Sequence, residues 1–196
     1  MNETRTWPVL RVMAHGWDFP AWVNAFYPED LPADWRLAYY ANEFRGVLVP
    51  DACWRASPPA DLGSWFEDLA EPFEVYLEWR SEMPAERVDL VRRALPDGLL
   101  KGVLAAEGVP VPADLPAWRI DDAGNCWRPD GSRADGLGLL TIEMGEEPSP
   151  RDLRALLEEF LAASRGRSRA TLVVTGQTPS FRAMRDLEVM AHLMGA

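Results

Sequence analysis

At 196 residues, 47% hydrophobic and 26% charged, the chain has the size and composition of one soluble globular domain. That excludes a disordered tail, a collagen-like repeat and a disulfide-dense miniprotein, and no apolar run approaches the roughly eighteen residues that would span a bilayer. Lys+Arg 20 against Asp+Glu 31 leave a formal charge of -11, so the positive footprint needed on nucleic acid or an anionic membrane surface is missing and neither is an expected partner.

Taken in chain order, apolar runs of strand length alternate with segments of helical period. Residues 9–14 read as a strand ending at His15-Gly16. A Trp- and Pro-rich connection follows, then a helix over 33–44 in which Trp35, Leu37, Tyr40, Ala41 and Phe44 fall near helical spacing. Residues 46–49 form a second strand closed by Pro50, and residues after it, Cys53 and Trp54 included, read as loop. Residues 61–70 predict a helix with Leu62, Trp65, Phe66 and Leu69 on one side. Residues 73–79 are the clearest strand, rich in aromatic and β-branched types, and Pro84 opens a helix running to about residue 95.

The second half continues the alternation. Residues 98–105 suit either a buried strand or a helix. Residues 106–136 form an irregular Pro/Gly-rich insertion, in which Trp118-Arg119-Ile120 and Cys126-Trp127-Arg128 flank Asp121-Asp122-Ala123-Gly124-Asn125 as a hairpin would. Residues 137–144 are a strand. Ser149-Pro150-Arg151-Asp152 supplies a cap, a proline at the first helical position and an acid in the first turn, ahead of the apolar series Leu153, Leu156, Leu157, Phe160 and Leu161. Residues 170–175 are a strand, and Thr178-Pro179 caps the closing helix. Five or six strands alternating with helices predict a single α/β domain over 1–196 with a mainly parallel sheet. A full eight-stranded barrel usually takes about 200 residues or more, so a reduced or incompletely closed barrel is expected.

Rare residues limit the chemistry. Lys101 is the sole lysine, so Schiff-base chemistry would have to use it. His15 and His192 are the only histidines, too few for a multi-histidine metal site. Cys53 and Cys126 lack Cys-x-x-Cys spacing. No metal and no cofactor are expected. The first residues carry no secretory hydrophobic region, so the sequence reads as cytoplasmic with reduced thiols. The densest basic run, Arg165-Gly166-Arg167-Ser168-Arg169, reads as a solvated loop at a helix C-terminus, with contact to an anionic ligand as the other reading.

The segment Gly16-Trp17-Asp18-Phe19-Pro20-Ala21-Trp22, followed by Phe26-Tyr27-Pro28-Glu29-Asp30-Leu31-Pro32, Trp35, Tyr39-Tyr40-Ala41 and Phe44, resembles the opening of the domain of unknown function 72 family. Pro72-Phe73-Glu74-Val75-Tyr76-Leu77 is similar to that family's next strand. The resemblance implies a TIM-type barrel and no established activity. Three positions depart from the family pattern: Leu48 and Pro50 replace an acid and an amide of its second strand, and Glu78 replaces the lysine ending its third. A segment equivalent to its Gln-Leu-Pro-Pro is not evident near Ile142-Glu143-Met144-Gly145.

Ligands of parallel α/β folds collect beyond the carboxyl ends of the strands. Residues expected there are His15, Trp17, Asp51, Trp54, Glu78, Arg80 and Glu143, with Trp22 on a neighbouring loop. Two carboxylates beside aromatic platforms suit a carbohydrate-like ligand and its hydrolysis, with Glu78 and Glu143 as the pair and Asp51 in reserve. Those acids could equally cap helices or pair with arginine, Arg80 being near Glu78. His15 suits a general base or a hydrogen-bonded packing residue; Cys53 suits a nucleophile only beside a base, and otherwise an inert buried thiol. Two functions remain open: a small-molecule binding or hydrolytic site lined by these residues, or a non-catalytic relative that binds a protein partner or forms a homodimer covering an exposed sheet edge.

Overall fold

The computed structural model describes residues 7–67, 69, 72–95, 97–120, 126–127 and 136–196. Its strands are β1 (Val9–His15), β2 (Gly46–Val49), β3 (Glu74–Trp79), β4 (Leu100–Ala106), β5 (Ala117–Ile120), β6 (Cys126–Trp127), β7 (Leu137–Thr141) and β8 (Arg169–Thr175). The helices are α1 (Arg36–Ala41), α2 (Asp51–Ala56), α3 (Pro59–Phe66), α4 (Ala85–Ala94), α5 (Pro150–Ala163) and α6 (Phe181–Met194). The sheet order is β6-β5-β4-β3-β2-β1-β8-β7. All neighbours are parallel except β5 and β6, which pair antiparallel.

This is a curled half-barrel of seven parallel strands, opened between β6 and β7 rather than between the first strand and the last. β1 pairs with β8 along most of its length, from Val9↔Arg169 to Ala14↔Val174, and so joins the two ends of the chain. The two sheet edges approach each other, with Cα atoms of β6 and β7 within 8 Å, but share no ladder. The expected strand count of five or six is therefore low. The flanks of the expected hairpin do pair, Arg119 with Trp127 and Ile120 with Cys126; the turn proposed between them lies outside the described residues.

Both faces of the sheet are covered, as parallel strands require. Leu10, Val12 and Ala14 of β1, Val47 and Val49 of β2, and Val75, Leu77 and Trp79 of β3 pack outward against the helices. The alternate residues Met13, Leu48, Tyr76, Leu104, Trp118, Leu137 and Val173 form a separate apolar cluster on the concave face. One residue from each parallel strand fills that interior, so the half-barrel is a packed core and not a pore. Gly102 permits the filling: a Cβ there would lie 2.0 Å from Trp118 Cζ3 and 2.7 Å from the Pro116 carbonyl oxygen.

Several elements depart from the sequence reading. The helix expected over 33–44 is a 3-10 turn, Ala33–Trp35, followed by the short α1. The tighter turn changes the phase of the helix, and Trp35, whose helical spacing with Leu37, Tyr40 and Phe44 suits a core face, is 65% exposed. The stretch after Pro50 is helix α2 rather than loop, with Asp51 in its first turn. The stretch 98–105, open between strand and helix, is strand from Leu100 onward as β4, buried from Gly102 to Ala105. Ser149 caps α5 as expected, its hydroxyl accepting from Asp152 N. The cap of α6 is Ser180, which accepts from Ala183 N, not Thr178.

Candidate functional site

Alternation along β1 and β3 puts His15 and Glu78 at the carboxyl ends of strands two apart in the sheet, where they meet. His15 Nε2 lies 3.1 Å from Glu78 Oε2. The same oxygen accepts from the backbone N–H of Asp51 at 3.0 Å, and Glu78 Oε1 accepts from Arg80 Nε at 2.8 Å. Asp51 receives both arms of Arg55, Nε to Oδ2 at 2.9 Å and an Nη to Oδ1 at 2.7 Å, and also the backbone N–H of Arg80 at 3.0 Å. Three strand ends and the first turn of α2 are thus tied into one network of two carboxylates, two guanidinium groups and an imidazole.

The network sets protonation. Burial alone would raise the Glu78 carboxyl, but hydrogen bonds from His15, Arg80 and the Asp51 N–H outweigh it and hold the group at about 2. Asp51 is also held below its ordinary value, burial being outweighed by Arg55 and the Arg80 N–H. A carboxylate ionised at neutral pH only accepts hydrogen bonds, so His15 Nε2 must carry the proton facing Glu78. The basic lone pair of the neutral imidazole is then on Nδ1. The side chain of Arg80 is 68% exposed while those of His15 and Glu78 are 20% and 12% exposed, so the cation faces solvent over a shielded acid–imidazole pair.

The remaining candidate residues occupy other places. Glu143 follows β7, and both its oxygens are taken by backbone donors, Gln177 N–H at 2.8 Å and Thr178 N–H at 2.9 Å. Gly176, at φ +143, passes so close that a Cβ would meet this carboxylate at 2.6 Å. Glu143 therefore ties the β7 exit to the β8–α6 connection, and no hydrogen bond links it to Glu78 among the described residues. Trp22 is fully buried amid the rings of Phe19, Phe26, Tyr27, Tyr40 and Phe181, and its indole N–H donates to Pro179 O at 2.9 Å. Trp54, on α2, is fully buried beside Trp79 and donates to the Glu78 backbone carbonyl at 2.8 Å. Trp17 is 8% exposed and packs edge-on against Trp65. All three tryptophans are packed inside the protein instead of offering their faces to a ligand, and of them Trp54 touches the network through the Glu78 carbonyl.

Cys53 is exposed on α2 rather than buried, and its thiol is pushed up by desolvation and by the carboxylates of Asp18 and Glu78, away from the nucleophilic thiolate. Lys101 sits near the start of β4, donating to Gly98 O at 2.5 Å, at the other end of the strands. His192 is exposed in the last turn of α6. Among the described residues no group of three or more His, Cys, Asp or Glu is placed to hold a metal ion, and no helix is long and apolar enough to cross a membrane. Arg55 was not anticipated as part of the network. Its spacing four residues after Asp51 was the available signal, legible only once α2 is known to be a helix.

A parallel, curled sheet with polar residues gathered at its carboxyl end defines a TIM-barrel-like α/β protein. The profile of the family described as "Protein of unknown function DUF72" matches residues 11–196, and the chain belongs to that family. A crystal structure of a DUF72 family protein from Thermotoga maritima MSB8 superposes with a TM-score of 0.63 at 13% identity, covering 96% of this chain and 100% of that one. Another, from Enterococcus faecalis V583, gives a TM-score of 0.53 at 9% identity, covering 96% and 98%. At such identities the likeness is one of fold. No curated protein matches the chain.

Proposed function

We propose that the carboxyl end of the half-barrel is a small-molecule site in which His15 transfers a proton through Nδ1. Glu78 orients the ring and stabilises the imidazolium that forms, the role a buried carboxylate plays behind a general base. Arg80, exposed above the pair, supplies positive charge for an anionic or strongly polarised group of the ligand. The single observation that carries this reading is the 3.1 Å contact between His15 Nε2 and Glu78 Oε2, within a network that keeps Glu78 ionised.

Hydrolysis of a polar small molecule fits this arrangement better than a two-carboxylate glycosidase does. The acid of a glycosidase pair must retain a proton near neutrality, and Glu78 does not; Glu143 is occupied by backbone donors. A sugar would also lack the stacking faces of Trp22 and Trp54, which are buried.

The test is thermal shift of the intact protein against sugars, sugar phosphates, nucleotides and activated esters, repeated on His15→Gln and Arg80→Ala. The expected result is a stabilising compound whose shift falls in both variants, and turnover, where present, that drops by about 100-fold or more in His15→Gln. A panel without any shift, or shifts identical in all three proteins, would overturn the reading.

A further inference from the structure

Alternation along the parallel strands puts a second polar pair on the concave rim that carries His15 and Glu78. Met13 of β1, Leu139 of β7 and Val173 of β8 face the interior, so the residues two further on, His15, Thr141 and Thr175, share that face at the carboxyl end. The register Ala14↔Val174 places His15 next to Thr175, and Thr141 is the partner of Thr175 across the following ladder. The two threonine hydroxyl oxygens lie 3.0 Å apart. Thr141 is exposed and Thr175 half-buried, so both can be reached from the mouth of the half-barrel.

The backbone around this pair is tied down. Ile142 N–H donates to Thr175 O at 3.1 Å, Met144 N–H to Thr178 O at 2.9 Å and Ser180 N–H to Ile142 O at 2.9 Å, so the exits of β7 and β8 are zipped together. Glu143 completes the clasp by accepting from the Gln177 and Thr178 N–H groups. Hydroxyls fixed in this way lose little freedom when a ligand docks. Their mutual bond uses a single hydrogen and a single lone pair, leaving one hydrogen and several lone pairs for a ligand. A ligand hydroxyl, which donates and accepts, matches that remainder; an ammonium, which only donates, leaves the hydrogen unused. On the other side of His15, Arg80 turns Nε and one Nη to Glu78 Oε1, and its largely exposed side chain leaves the outer Nη toward solvent.

We propose that the ligand of the carboxyl-end site is a small hydroxylated anion, its carboxylate or phosphate at Arg80 and a hydroxyl at the Thr141–Thr175 pair, with His15 between them. The assignment rests on reading the carboxyl end as a small-molecule site, and adds to it a substrate class and two positioning residues. Arg80 follows β3 and Thr175 ends β8, with β2 and β1 between, a span of at most about 15 Å at the usual strand spacing. The arginine side chain covers part of that span. A backbone of about five or six carbons, at roughly 1.5 Å per bond, fills what is left.

Calorimetric titration of the full chain with gluconate, ribose 5-phosphate, hexanoate, 6-aminohexanoate and sorbitol tests the assignment. Gluconate or ribose 5-phosphate should bind about tenfold or more tighter than the other three, and the tighter of the two identifies the anion. Thr175→Val and Thr141→Val, which keep the side-chain shape and remove the hydroxyl, should weaken that ligand by about fivefold to tenfold while hexanoate changes by less than about twofold. Thr175→Ser, which returns a hydroxyl, should recover most of the loss, a rescue that a purely structural threonine would not give. Arg80→Ala should weaken every anion alike. Equal affinities for gluconate, hexanoate and 6-aminohexanoate, or a hydroxylated anion that responds to Arg80→Ala but not to Thr175→Val, would overturn the hydroxyl assignment and leave the small-molecule site standing. No heat with any probe, or binding indifferent to Arg80→Ala and His15→Gln as well as to the threonine variants, would overturn both.

Discussion

Two glutamates show how position decides the behaviour of one residue type. Glu78 has three donors and stays ionised far below neutrality. Glu188, half-buried on α6, is pushed up to about 7 by desolvation and by the Glu43 carboxylate, against the opposing charges of Arg11 and Arg45. Its native value lies above the ordinary 4.5, so the folded state binds the proton more tightly than the unfolded chain. Stability from this group is full below about 4.5 and is lost as pH rises toward 7. Glu188→Gln should therefore stabilise the fold by about 1 kcal/mol at pH ~8, after allowance for solvent screening, and by almost nothing at pH ~4. Thermal melts of both proteins at the two pH values check this; an equal effect at both would contradict it.

At the scale of elements, the residues that carry the family resemblance turn out to hold strands and loops together. Tyr40 of α1 is fully buried; its hydroxyl accepts from Ala14 N of β1 and donates to Gly46 O of β2, both at 2.9 Å. Tyr27 donates to Trp17 O at 2.6 Å and so closes the long β1–α1 connection, while Trp22 fastens it to the start of α6 through Pro179. Removing the Tyr40 hydroxyl leaves a buried N–H and a buried carbonyl short of a partner. Tyr40→Phe should cost about 1–3 kcal/mol, read as a lower urea midpoint with unchanged slope. An unaltered midpoint would show that the β1–β2 pairing does not depend on this bridge.

For the whole molecule, the organising feature is a concavity filled by apolar side chains with polar groups at both ends. The filling separates the His15–Glu78 network from a cavity at the amino end, lined by Tyr76, Trp118, Thr171 and the turn from Gly166 to Arg169. It depends on Gly102, whose missing side chain leaves room for Trp118. Gly102→Ala should lower stability by about 1–3 kcal/mol through overpacking, measurable as a fall in melting temperature. A wild-type melt for this variant would mean that Trp118 can move aside without cost, and that the interior is looser than its packing indicates.

The sequence by itself determined the α/β class, the single mainly parallel sheet and most element positions, because apolar period, capping residues and proline placement are local properties of the chain. It also placed His15, Asp51, Glu78 and Arg80 at one end of the strands, since that follows from where each strand stops. Local pattern could not reveal helix α2, which is too short to show a helical period, or the outward turn of Trp35, which follows from a 3-10 turn. It could not settle whether Glu143 joins Glu78 or caps the β8–α6 connection, because partners 34 residues apart in the chain are chosen by how the sheet curls. The same curl brings the Gly166 to Arg169 turn to the cavity that Tyr76 and Trp118 line. Only the tertiary structure decided which polar groups converge, for convergence depends on strand tilt and register across the half-barrel, and neither is written in any single segment.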